Sequence, residues 1–244
     1  MKKLFIIIAL VSYSFIGYTQ DLDSITFRKN GLKFSLMNLP FRSVSFEYER
    51  MIDPNYSLIL GVGLPYQGMI SGKYGTDNTS KLRNVELGTM HIRAALRYYY
   101  NFKMLPKGFY VEPYLKYQQI KGTANYVSND ELNKIYKGDL VGKVNTINVG
   151  VQFGVQFLIA KMVTLDFYFI GLEGGLANGN ITSTSVNAAD AEKIETDFKD
   201  EVAGFPFFIE NWVTVKRTNN QVFVDAKDLQ YPWFRGGLSI GIAF

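Results

Sequence analysis

The sequence predicts an all-β chain: an eight-stranded antiparallel transmembrane β-barrel with one large extracellular loop carrying a short helix and a hairpin. Three observations lead there. The carboxy-terminal stretch splits by parity into an oily set (Phe234, Leu238, Ile240, Ile242, Phe244) and a small or polar set (Arg235, Gly237, Ser239, Gly241, Ala243). The links between candidate strands alternate between short and long. Charged residues within the strands fall on the small, polar parity and nearly balance in sign. An oily face meeting lipid, and a small face filling a narrow interior, account for the first and third. Periplasmic turns alternating with longer extracellular loops account for the second.

The amino terminus fits export. Met1-Lys2-Lys3 is basic, 4–11 is a short apolar run, and Gly17 and Thr19 stand at minus three and minus one before Gln20. Residues 1–19 therefore read as a signal peptide and 20–30 as a periplasmic linker before the barrel of 31–244. No later run of about 18 uncharged apolar residues occurs, so a membrane would be crossed by strands. The chain has no Cys, which removes disulfides, thiolate metal sites and an acylated amino-terminal Cys. With a single His as well, a metal site or other cofactor is not expected. A net charge of +4 without a basic stripe interleaved with aromatics argues against nucleic acid.

The elements follow in order. Strands are expected at 31–37, 43–51, 56–64, 87–101, 109–121, 144–158, 162–175 and 233–244. The sixth alternates most cleanly, with Ile147, Val149, Val151, Phe153, Val155 and Phe157 between Thr146, Asn148, Gly150, Gln152, Gly154 and Gln156. Links 52–55, 102–108 and 160–161 are short, whereas 65–86, 122–143 and 176–232 are long. Only 38–42 is short on the outer side. The short set reads as periplasmic, and an even strand count leaves both termini there, in the cell outer membrane.

Inward parities carry Lys33, Glu47, Glu49, Arg93, Arg97, Glu112, Lys116, Asp166 and Arg235, five basic residues against four acidic. In an interior just wide enough for side chains, these are expected to pair and plug the lumen. Aromatic residues are expected to form interfacial girdles. Tyr98, Tyr100, Phe109, Phe157 and Phe244 lie near the periplasmic ends, and Tyr66, Tyr117, Tyr231 and Trp233 near the outer ends.

Gly31-Leu32-Lys33-Phe34-Ser35-Leu36, Val44-Ser45-Phe46-Glu47-Tyr48-Glu49-Arg50, Leu60-Gly61-Val62-Gly63, the segment from Ile92 to Tyr100 and that from Gly108 to Tyr117 resemble small outer-membrane barrels of Bacteroidota. The resemblance covers most of the mature chain. It implies an OmpA/OmpX-like eight-strand architecture and names no activity. The last long loop is larger than such barrels usually carry.

Within that 176–231 loop, Ile194, Phe198 and Val202 recur at four-residue spacing among acids, which predicts a short amphipathic helix over 187–202. Segments 211–218 and 221–227 alternate around Asn219-Asn220, which predicts a hairpin. The loop reads either as a self-packed lid or hairpin extending the barrel, or as a surface for an external partner. Otherwise the expected partners are outer-membrane lipid and the barrel-assembly machinery, read through the aromatic carboxy terminus.

Enzyme signals are weak, and the chain reads as non-enzymatic, with a structural or surface-interaction role. His91 sits inward beside Thr89 and Arg93, as a hydrogen-bonded lumen residue would. The His followed two residues later by Ser, seen in the lipid A deacylase family, is absent because position 93 is Arg. The 171–175 glycines have no strand-to-helix context for phosphate and read as strand glycines near a rim. Asp23-Ser24-Ile25 resembles an O-glycosylation sequence of exported proteins. The alternatives are a lipid-modifying enzyme and a small pore or binder of hydrophobic molecules.

Overall fold

The computed structural model describes residues 28–39, 43–66, 82–100, 106–129, 134–203 and 212–244. The expected signal peptide and Asp23-Ser24-Ile25 lie outside them. Among the described residues the architecture is antiparallel and built on strands, nine of them with one helix: β1 (Asn30–Ser35), β2 (Ser43–Met51), β3 (Tyr56–Pro65), β4 (Leu82–Tyr99), β5 (Gly108–Asn129), β6 (Ile135–Ile159), β7 (Val163–Ser185), α1 (Ala188–Ala203), β8 (Val213–Thr218) and β9 (Gln221–Ala243). Sequential neighbours pair from β1 to β7, β7 pairs with β9, and β9 pairs back with β1, from Gly31 opposite Ala243 to Ser35 opposite Ser239. Eight strands thus close a ring of hydrogen bonds. The ninth, β8, hangs on the far part of β9.

Period-two patterning decides the two surfaces of this ring. Leu32, Phe46, Leu60, Ile92, Leu115, Ile147, Phe167 and Ile240, one from each ring strand, are all exposed on the outside. The opposite parity is small, polar or charged and is buried. This inverts the usual arrangement of a water-soluble protein, in which large contiguous apolar surface is rare.

Tight turns close one end. Between β2 and β3, Ile52 N–H bonds to Tyr56 O at 2.9 Å. Between β6 and β7, Ala160 and Lys161 both have positive φ, 49° and 57°. They are the central residues of a mirror-image turn closed by Met162 N–H to Ile159 O at 3.0 Å within a three-residue link, here formed without glycine. Asn219 at the β8–β9 turn also takes a positive φ, 51°.

The other end departs from expectation, because the stretches read as long loops are largely strand. β5 continues past 121, β6 begins before 144, β7 continues past 175, and β9 begins at Gln221 instead of 233. β4 also begins earlier than expected, at Leu82, and breaks in alternation hide its extension and that of β9. β4 and β9 each hold an irregularity, where Asn84 and Asp228 adopt positive φ of 51° and 52° and shift the register against their neighbours. Asp228 N–H bonds to Asn178 Oδ1 at 2.9 Å across one of them.

The wall is therefore lopsided, low at β1–β3 and tall from β5 to β9. On the inner parity of the tall wall lies α1, matching the expected helix. Its Ala191 and Ile194 are fully buried against Tyr126, Leu140 and Val222. Asn187 caps it, its Oδ1 accepting Asp190 N–H at 2.9 Å. Tyr126 OH donates to Asp197, and Lys193 reaches the same carboxylate at 3.1 Å. Glu195 binds Lys199 and Arg217, both at 2.7 Å, and these hydrogen bonds hold its carboxyl below the usual range.

Candidate functional site

The densest chemistry lies inside the ring, where inward parity brings ionic side chains from β1, β2, β4, β5 and β7 together. Lys33 Nζ is 2.8 Å from Glu49 Oε2 and 2.7 Å from Asp166 Oδ2. Arg97 contacts Glu112 Oε2 at 2.5 Å and Asp166 Oδ2 at 2.8 Å. Arg93 pairs with Glu47 at 2.7 Å and also with Glu112. Each of these side chains is buried.

A charge in such a place is tolerable only if its remaining lone pairs and protons are satisfied. Most are. Glu49 accepts hydrogen bonds from Ser57 and Tyr99, both at 2.6 Å, as well as from Gln156 at 3.3 Å. Asp166 accepts Tyr110 OH at 2.7 Å, and Glu112 accepts Gln152 Nε2 at 2.9 Å. The Arg97 guanidinium stacks 3.7 Å from the centroid of Tyr110. Room for these rings comes from glycines on β6. A Cβ on Gly154 would lie 2.4 Å from Tyr110 OH, and one on Gly150 would lie 2.5 Å from Tyr114 OH. The strand glycines are sockets for neighbouring tyrosines.

Of the nine inward residues expected, seven fall in this network. Lys116 is separate and pairs with Glu173 at 2.7 Å. Glu173 was missed because the alternation of β7 breaks. Phe153 pairs with Ile170 but Gly154 pairs with Tyr168, so β7 holds an extra residue, and Phe169 and Ile170 both face outward. Beyond the bulge, odd positions point inward. Glu173 brings the inner acids to five, equal to the bases.

Arg235 departs from the expected pairing. Among the described residues it forms no ion pair, and is held by aromatic rings: its guanidinium lies 5.2 Å from the centroid of Tyr114 and 5.0 Å from that of Tyr168. Two girdle assignments also change. Trp233 is paired with buried Glu173, so it shares the inner side, although it is 59% exposed. Tyr231 turns inward as well, donating from its OH to Asn148 Oδ1 at 2.6 Å. Their shared parity with Arg235 carried this information, which proximity to a strand end overrode. Tyr100, Phe109, Phe157 and Phe244 are exposed, and Tyr98 stacks on Tyr56 with centroids 5.1 Å apart.

His91 lies across Gly63, where a Cβ would come 2.2 Å from its Cε1 and 2.8 Å from Ser45 Oγ. That hydroxyl accepts Asn38 Nδ2 at 2.8 Å. Among the described residues, no group of three or more His, Cys, Asp or Glu is arranged to hold a metal. No helix among them is long and apolar enough to cross a membrane, which says nothing about strands. Compared with protein-family models, curated proteins and solved structures, the chain matches none.

Proposed function

We propose that the ring is an eight-stranded transmembrane β-barrel of the outer membrane, non-enzymatic, with its lumen closed by the ion-pair network. Its tall wall and α1 form a lobe on the extracellular side, which serves a structural or surface-interaction role. One observation carries this reading: apolar side chains are exposed all round the ring while its charges are buried inside. Lipid is the solvent in which that arrangement is stable, since the β1–β9 pairing closes the ring and no strand edge there need face hydrocarbon.

Strand lengths support it. About 9–11 residues of tilted strand cross a bilayer, a length that β2 and β3 supply with little to spare. β6 has 25 residues and overshoots by roughly 45–55 Å along the strand at the usual rise per residue. The overshoot lies at the end opposite both termini, which places the lobe outside if the termini are periplasmic.

Reconstitution in a planar bilayer tests the closed lumen, provided that insertion is verified by protease protection of the strands. The proposal expects rare, small openings at most. A steady, well-defined conductance would replace the plugged scaffold with a pore.

A further inference from the structure

Charge is not paired evenly along the inner face. In the layer nearer the termini, Lys33, Arg93 and Arg97 meet Glu47, Glu49, Glu112 and Asp166. In the layer above, among the described residues, Glu173 is the one carboxylate for two bases, Lys116 and Arg235, and Arg235 makes no ion pair with it. That carboxylate is occupied, by Lys116 at 2.7 Å and by Tyr114 OH at 2.7 Å. The lower layer thus has one acid in excess and the upper layer one base, and the uncompensated base is Arg235.

The surroundings of Arg235 hold its stem and leave its head underused. Its chain lies on the backbone of Gly171, where a Cβ would approach Arg235 Cγ to 2.4 Å. The guanidinium sits between the rings of Tyr114 and Tyr168 and donates to Tyr168 OH at 3.3 Å, a long bond. A guanidinium has five N–H donors in a rigid fork suited to a planar oxyanion. The layer is also reachable from water. Arg235, Lys116 and His91 are half-buried, whereas Arg93 and Arg97 below them are buried. β1 ends at Ser35, opposite Ser239, which lies four residues from Arg235 along β9.

We propose that this upper layer is a mouth that binds a small soluble oxyanion, a carboxylate or phosphate group, through Arg235. Lys116 flanks the site, and exposed Trp233, on the same parity, forms an apolar wall beside it. Arg235 is on the inner parity, so the anion comes from the aqueous side and not from a lipid headgroup. The inference requires only that this face is inward and water-filled, and does not depend on the ring's spanning a membrane.

Trp233 and Trp212 are the two tryptophans of the chain, so a Trp212→Phe variant makes Trp233 a local reporter. The full chain in non-ionic detergent is titrated with iodide, caesium and acrylamide, with and without inorganic phosphate against a chloride control of equal ionic strength. With each quencher normalised to its efficiency on free N-acetyltryptophanamide, iodide should quench several-fold more strongly than caesium, and phosphate should protect beyond the chloride control. Arg235→Gln should abolish both effects and leave acrylamide quenching unchanged, while Arg235→Lys should retain part of each. Equal quenching by iodide and caesium, protection no greater than chloride gives, or an iodide preference that survives Arg235→Gln would each overturn the site. If Arg235→Gln fails to fold, the phosphate competition in the Arg235-containing protein decides.

Discussion

Lys116 Nζ lies 2.7 Å from Glu173 Oε1, and the pair exists because β7 carries one residue more than β6 at Phe169. Without that residue, two-residue periodicity would turn Glu173 to the outside of the ring. Deleting Phe169 should therefore expose Glu173, strand Lys116 and reduce the heat-modifiable, folded fraction on gels. Adding Lys116→Met should restore part of it. An unchanged folded fraction in the deletion alone would mean that the bulge does not set the parity of upper β7.

Arg97 joins two carboxylates, Glu112 at 2.5 Å and Asp166 at 2.8 Å, and all three side chains are buried. Arg97→Ala should cost about 3–5 kcal/mol, because it leaves buried carboxylates short of a counter-charge. Urea unfolding of the detergent-refolded chain measures it, at constant slope. A loss below about 1 kcal/mol, the scale of an exposed pair, would show that the network is not dry.

These two residues also show what the sequence reveals and what it hides. Arg97 is legible because Arg93, Ala95 and Arg97 keep step with the outward Ile92, Ala94 and Leu96. Parity also placed Lys33, Glu47, Glu49, Glu112 and Asp166 together without any long-range information. Glu173 was illegible because a bulge leaves no mark in composition, and Phe169-Ile170 reads as ordinary strand. The aromatic partners of Arg235, Tyr114 and Tyr168, were illegible for another reason. Alternation says which side a residue faces, but not which neighbour across the ring it meets. The tall wall reads as loop in the sequence because its residues, such as Thr123, Asn125 and Asn178, are polar on faces that in the low wall are oily.

Opposite faces of β6 should respond oppositely to charge. Val151 lies on the outward parity and Gln152 is buried inside, bonded to Glu112. Val151→Arg should cost about 2–4 kcal/mol if it sits near the bilayer midplane, and should lower the assembled amount in outer-membrane fractions. Gln152→Arg should be milder. Normal assembly of Val151→Arg with failure of Gln152→Arg would invert the faces.

The lobe should come apart separately from the ring. Ile194 is fully buried, and a Cβ on neighbouring Gly138 would lie 2.7 Å from its Cδ1, so the contact is tight. Ile194→Ala should cost about 2–5 kcal/mol locally and accelerate amide exchange across α1 while β1–β3 stay protected. Acid should loosen the same helix. The carboxyl of Glu195 is lowered by Lys199 and Arg217, so its small contribution is present at neutral pH and lost as protonation proceeds. Uniform acceleration over the whole ring would show that lobe and ring unfold as one unit.

Nitroxide scanning of β6 from Asn145 to Phe157 in lipid vesicles tests the central claim most directly, because it reads lipid and water at each position. A plugged transmembrane barrel predicts a two-residue rhythm. Oxygen, which partitions into lipid, should reach Ile147, Val149, Val151 and Phe153, while a water-soluble nickel complex should reach neither these nor Gln152, Gly154 and Gln156, the even positions level with the ion-pair network. Nickel access at the odd positions would contradict the membrane, and nickel access at those even positions would contradict the plug.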